Sequence, residues 1–159
     1  VVILVRNPIA GANVNIATFV SLYERQKNVE RKRGSSTSTR SVRVAAGVVL
    51  RTFERIDGLV CCAGIGPQTT YYPTIDGYES TIQINCLAHA LLSTVLAEKL
   101  TKGVVIHVSS HAALDTTPFD YAKPFLTNEI FDGLEVYSRS MLMINVFTKM
   151  AAEKCSPGL

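Results

Sequence analysis

Three short apolar runs constrain this chain most: Val1-Val2-Ile3-Leu4-Val5, Leu59-Val60-Cys61-Cys62 and Val104-Val105-Ile106-His107-Val108. Each is the length of a strand, and the first is continuous in its hydrophobicity, the pattern of a strand covered on both faces. Proline at Pro8, after Arg6-Asn7, ends the first run, because it cannot donate to a ladder and restrains the residue before it.

Between the runs the periodicity is helical. Ala12 to Gln26 carries Val14, Ala17, Phe19, Val20 and Tyr23 as a stripe. Ser41 to Arg55 carries Val42, Ala45, Val48, Val49 and Phe53, although its valines leave a strand open as the alternative. Thr74 to Lys102 predicts a long helix through Ile82, Ile84, Leu87, Leu91, Leu92, Val95 and Leu100. Lys99 and Lys102 lie near its end, and Gly103 stops it. Val136 to Lys154 places Tyr137, Met141, Ile144, Phe147 and Met150 on one side. Lys27 to Arg40 is basic and then Ser/Thr-rich, with room for a short strand near Val29. Ser109 to Gly133, with Pro118 and Pro124, reads as irregular.

Strands alternating with helices predict an α/β chain, a Rossmann-like, doubly wound parallel sheet with helices on both faces. The helices Thr74–Lys102 and Val136–Lys154 are expected on one of them. At 159 residues the chain has the length of one domain, taken as 1–159. In such sheets ligands sit outside the carboxyl ends of the strands. That points to Arg6, Ala63-Gly64 and Ser109-Ser110.

Composition removes several function classes. A hydrophobic share of 47% against 18% charged residues describes a packed core rather than disorder. No apolar run reaches the length of a membrane span. The first run lacks a basic flank and a small-residue cleavage site, so it reads as a buried strand rather than a signal peptide. The net charge of +3 does not by itself call for nucleic acid or a membrane. Arg25 to Arg43 holds seven Lys/Arg against Glu30 alone, and reads as a solvated loop rather than a nucleic-acid surface. Cys61, Cys62, Cys86 and Cys155 form no CxxC pair, as expected of reduced thiols in a cytoplasmic chain. His89, His107 and His111 have no carboxylate or cysteine at ligand spacing, so no metal site is expected.

Four motifs in order carry a family resemblance. Leu59-Val60-Cys61-Cys62-Ala63-Gly64 resembles the Asn-Asn-Ala-Gly strand end of short-chain dehydrogenases. Gln83-Ile84-Asn85-Cys86-Leu87-Ala88-His89 resembles their mid-helix asparagine motif, and Val108-Ser109-Ser110 their catalytic serine strand. Tyr137-Ser138-Arg139-Ser140-Met141 stands where Tyr-x-x-x-Lys belongs. The long gap from Ser110 to Tyr137, and Val5-Arg6-Asn7-Pro8, are similar to the retinol-dehydrogenase-like branch. The block from Phe131 to Leu142 looks closest to its fungal members.

The resemblance implies an NAD(P)-dependent oxidoreductase acting on an alcohol or carbonyl of a small lipophilic molecule, and a homo-oligomer is compatible with it. It makes Tyr137 the acid/base, Ser110 the donor to the substrate oxygen and Asn85 the anchor of a proton-relaying water chain. Cys62, Ala63, Gly64 and Tyr137 would contact the cofactor. Arg6, after the second strand of the family's sheet, would meet a 2′-phosphate and so favour NADP over NAD. A phenol with an ordinary pKa of about 10 needs help to act near neutrality. Family members supply it with a lysine one helical turn later.

Met141 stands at that lysine position and offers neither charge nor donor. Lys149 lies about 18 Å further along a helix. The glycine-rich pyrophosphate turn is not evident either. Gly11 serves only if Val1–Val5 is the first strand of the fold; the spacing to Ala63-Gly64 favours the second. On that reading the first and last strands are missing, both ends are cut, and Val1–Val5 closes directly onto Leu59–Cys62. Cofactor binding would then be weak or absent, and the alternative is a non-catalytic, degenerate or truncated domain that at most binds a nucleotide or a partner.

Overall fold

A computed structural model describes residues 2–6, 14–18, 38–116 and 131–155. Strand β1 is Val2–Arg6, β2 is Val14–Thr18, β3 is Gly58–Cys61 and β4 is Val104–His107. Helix α1 is Thr39–Thr52, α2 spans Ser80–Lys99 and α3 is Gly133–Cys155. A short 3-10 turn, His111–Leu114, follows β4.

The βαβ unit is the part that matters for function. β3 and β4 pair in parallel, with Gly58 opposite Val104 and Cys61 opposite His107, and α2 is the crossover between them. Their facing side chains build the core. Leu59 and Cys61 of β3 meet Ala46 and Val49 of α1 and Leu92 and Leu96 of α2, with Ile56 and Leu100 closing the ends. Glu79 starts α2 by accepting the N–H groups of Thr81 and Ile82, so the helix begins at Ser80 rather than Thr74. Ser38 caps α1, its hydroxyl accepting the Ser41 N–H, and Asp76 ties the helix down by accepting from Thr39 N at 2.7 Å. α2 is long and apolar enough to cross a membrane by composition, a length the sequence reading did not expect of any run. It packs against α1 and α3, and 56% of its apolar window is buried inside the fold.

Two further expectations are corrected. Ala12–Gln26 does not form one helix from its start, because Val14–Thr18 is a strand. Val14, Ile16 and Thr18 alternate with Asn15 and Ala17, a period of two in β-branched residues. It pairs antiparallel with β1, the connection close neighbours in sequence make without a crossover. β1 also runs antiparallel to β3, with Val2 opposite Val60 and Leu4 opposite Gly58, not parallel to it. The direct contact is the expected closure, since it pairs backbone groups that would otherwise be buried unpaired. Its direction is the reverse of the expected one.

The sheet order is β2-β1-β3-β4. The described helices share one face. Val104, Ile106 and Val108 on the other are 61%, 50% and 48% exposed, so β4 is a one-sided edge strand among the described residues. The short strand expected near Val29, the pyrophosphate turn sought at Gly11, and Pro118 and Pro124 lie outside the described residues.

Candidate functional site

The crevice beyond β3 and β4 is assembled on a defect in α2. The helix runs regularly through Ser80–Ile82, widens to a π-helical segment at Gln83–Leu87, and resumes as α-helix at Ala88–Leu96. Ala88 N–H reaches back to Gln83 O, five residues instead of four. Such bulges occur mostly where a side chain must be re-aimed. Here the side chain is Asn85, which is 1% exposed.

The Asn85 amide is engaged on three sides. Its Oδ1 accepts Ile65 N–H at 2.9 Å, and its Nδ2 donates to Ile65 O at 3.0 Å and to Ser140 Oγ at 3.1 Å. The loop carrying Cys62, Ala63 and Gly64 is thereby fixed to α3 through one residue. Gly64 sits directly above it, and a Cβ there would lie 3.2 Å from Asn85 Oδ1. Both Asn85 donors are spent within the protein, so the side chain holds the loop. Only the second lone pair of Oδ1 remains for a water chain.

Ser110 is half-buried and starts the His111–Leu114 turn, its Oγ accepting Ala112 N–H at 3.2 Å. As an acceptor there, it keeps its own hydrogen for another oxygen. Ser109 Oγ donates to Met141 O at 3.3 Å, joining the end of β4 to α3. The turn after Ser110 packs on α3, and α3 packs on the π-helical segment. Tyr137 is half-buried in the first turns of α3, one turn before the buried Met141, and its carbonyl accepts Ser140 Oγ at 2.7 Å. α3 itself starts close against the loop after β3, since a Cβ at Gly133 would fall 1.7 Å from Gln68 O.

Arg6 is not at this crevice. Because β1 is antiparallel to β3, Arg6 continues past Gly58 toward the amino-terminal edge of the sheet, while Cys62–Gly64 leave the carboxyl-terminal edge. The expectation of a 2′-phosphate contact rested on a parallel β1. Of the residues expected to contact a nicotinamide cofactor, Cys62 and Gly64 are exposed just beyond β3 and Ala63 is half-buried. At the lysine position Met141 is 6% exposed and uncharged.

A second polar cluster, which the motifs did not signal, lies between β3, β4, α2 and α3. His107 bonds Ser93 Oγ at 2.8 Å and Thr148 Oγ1 at 2.9 Å, and packs edge-on to Phe147. His89 stacks on it with ring centroids 6.3 Å apart. The His89 ring, 3% exposed, approaches the Ala63 backbone, but neither ring nitrogen completes a hydrogen bond of normal geometry. Burial, and secondarily the neighbouring His107, push its pKa down to about 4. Burial also lowers that of His107, and raises the Cys61 and Cys86 thiols to about 11, which leaves both unreactive near neutrality. The alternating position of His107 in a strand gave the one sequence hint that it points toward the helices.

Residues 11–122 match the family model for short chain dehydrogenases. Human retinol dehydrogenase 13 is 28% identical over 121 residues, which is 70% of this chain and 34% of that protein. A short chain dehydrogenase of Arthrobotrys oligospora is 29% identical over 99 residues, 53% of this chain and 31% of its own. The chain thus spans about a third of the length of the curated relatives it matches. Among solved structures, a protein from Mycobacterium paratuberculosis shares 27% identity with a TM-score of 0.63, covering 74% of this chain and 41% of that one. A metagenomic short-chain oxidoreductase solved with NADP has a TM-score of 0.54 at 24% identity, covering 83% of this chain and 60% of that one, a likeness of fold. By its sequence and its βαβ core, this chain belongs to the short chain dehydrogenase family.

Proposed function

We propose that this chain carries the catalytic half of an NAD(P)-dependent oxidoreductase site for an alcohol or carbonyl of a small lipophilic molecule. One observation supports it above the others. The π-helical segment holding Asn85, the strand end at Ser109-Ser110 and the first turns of α3 bearing Tyr137 pack at one end of the sheet, cross-linked by Asn85–Ser140 and Ser109–Met141.

Each residue has a task that its chemistry permits. Ser110 donates its free hydroxyl hydrogen to the substrate oxygen and orients it. Tyr137 gives a proton to that oxygen from its phenol in reduction and recovers it in oxidation. Asn85 holds Cys62–Gly64 at the height that leaves their backbone open toward the crevice. A nicotinamide cofactor, when bound, supplies or accepts the hydride at the carbonyl carbon. Arg6 takes no part in this reading.

Met141 favours a second reading, a non-catalytic relative. A buried thioether at the lysine position leaves the phenol without the cation that would favour its ionised form. The discriminating experiment follows NADPH consumption with a panel of aldehydes and ketones, beside direct titration of NADPH. Turnover abolished by Tyr137→Phe supports the first reading. Absence of both turnover and binding leaves the second.

A further inference from the structure

Helix α1 is the most lopsided surface of the molecule. At about 100° per residue, Arg40, Arg43, Val44, Gly47, Val48 and Arg51 fall within an arc of about 140°. The opposite side holds Ala46 and Val49, both buried, with Val42 and Leu50 packed beside them. The outer arc therefore faces solvent, and all three arginines are exposed. No Asp or Glu occurs in the helix. The nearest carboxylate at its start, Asp76, is occupied by Thr39 and Gln83. At its far end Asp57 is paired with Arg55, and Glu54 is exposed two residues past the last turn, outside the arc.

Two further features shape the arc. Gly47 removes a side chain from its middle and leaves a recess of about 440 Å³ lined by Thr39, Arg40, Arg43, Val44, Gly47 and Arg51. Val44 and Val48 stand beside the arginines at 61% and 41% exposure.

We infer that the outer face of α1 docks onto an anionic membrane surface, with lipid phosphates in the recess over Gly47 and Val44 and Val48 entering the headgroup layer. Charge complementarity selects an anionic partner. Arginine suits it because the guanidinium fork grips phosphate oxygens two at a time. The valines select a bilayer over a soluble polyanion, because a solvated phosphate chain gives apolar side chains nothing to enter. The main apolar face of α1 is spent on the core, so its outer side meets the headgroups through the arginines, with Val44 and Val48 as its apolar contacts.

The full chain is mixed with phosphatidylcholine vesicles, with and without about one-third phosphatidylserine, and binding is read by co-sedimentation. The inference expects binding only to the anionic vesicles, lost in high salt. Arg40→Gln, Arg43→Gln and Arg51→Gln each reduce the partition coefficient about fivefold, and the triple variant about a hundredfold. Val44→Ser weakens vesicle binding at unchanged charge. All these positions are exposed, so the circular dichroism spectrum stays that of the parent. Equal binding to neutral vesicles, no binding to either, or full binding by the triple variant overturns the inference. So does binding to duplex DNA or heparin that exceeds vesicle binding and ignores Val44→Ser, which assigns the face to a soluble polyanion.

Discussion

Asn85 and Ser140 are 55 positions apart in sequence and joined by a hydrogen bond of 3.1 Å inside the protein. Ser140 Oγ in turn donates to Tyr137 O at 2.7 Å, so the hydroxyl is both acceptor and donor. Ser140→Ala strands a buried Asn85 donor, and the expected loss is about 1–3 kcal/mol. Asn85→Ala also releases the Ile65 N–H and carbonyl and is expected to cost more. A double-mutant cycle by urea denaturation should return a coupling of about 0.5–3 kcal/mol. Additive losses would mean that the pair is not coupled.

Stability should fall on mild acidification, and the two histidines give the sign. The folded pKa of His89, near 4, lies below its ordinary value of 6.5, and that of His107 is lowered as well. The unfolded chain therefore binds more protons across that window. The contribution is fully present above pH 6.5 and is lost as pH falls toward 4. For His89 it amounts to about 3 kcal/mol at most. Urea midpoints for the parent and His89→Gln, taken between neutrality and pH 5, check it: the parent's slope should be steeper.

Met141→Lys restores the family's residue but meets a closed site. Met141 is 6% exposed, so an ammonium there loses its water. The expected effect is a loss of about 2 kcal/mol or more in stability, without measurable reductase activity in this chain. Denaturation and NADPH oxidation with aldehydes and ketones are the two measurements. Activity gained by this single change would show that the cofactor seat is complete as it stands.

Gly133→Ala should be poorly tolerated. Its Cβ would fall 1.7 Å from the Gln68 carbonyl oxygen, a backbone atom, so α3 or the loop after β3 must move. The expected loss is about 1–3 kcal/mol, and Gly66→Ala in the same loop, where a Cβ meets nothing, is the matched control. Thermal melts of the two variants should separate clearly.

Much of the fold was legible because burial writes itself into composition. Leu59–Cys62 and Val104–Val108 were readable as apolar strands and Val136–Lys154 as a helical stripe, and each lies within a residue or a few of the observed β3, β4 and α3, although one side of β4 is exposed. Strand direction is not written that way: Val2–Arg6 has the same hydrophobicity read in either sense, and its pairing partner decides. Val14–Thr18 satisfies both a helical stripe and a two-residue alternation, and pairing with β1 selects the second. At the site, Asn85 and Ser110 were visible as motif members. The Ser140 bond and the stacking of His89 on His107 were not, because they depend on how α2 and α3 are rotated about their axes.

That rotation has a source. The widened turn at Gln83–Leu87 acts as a phase shifter within a single rod. A uniform helix would set Asn85 within about 20° of Leu92 and Leu96, which face the core, and the widened turn shifts Asn85 off that common bearing. One residue of extra winding lets the two ends of α2 be tuned separately. Excising a single residue from the segment would leave the helix intact by length and hydrophobicity, yet rotate one end against the other by about 100°. Sequence alignments that place a gap there would compare residues facing different ways.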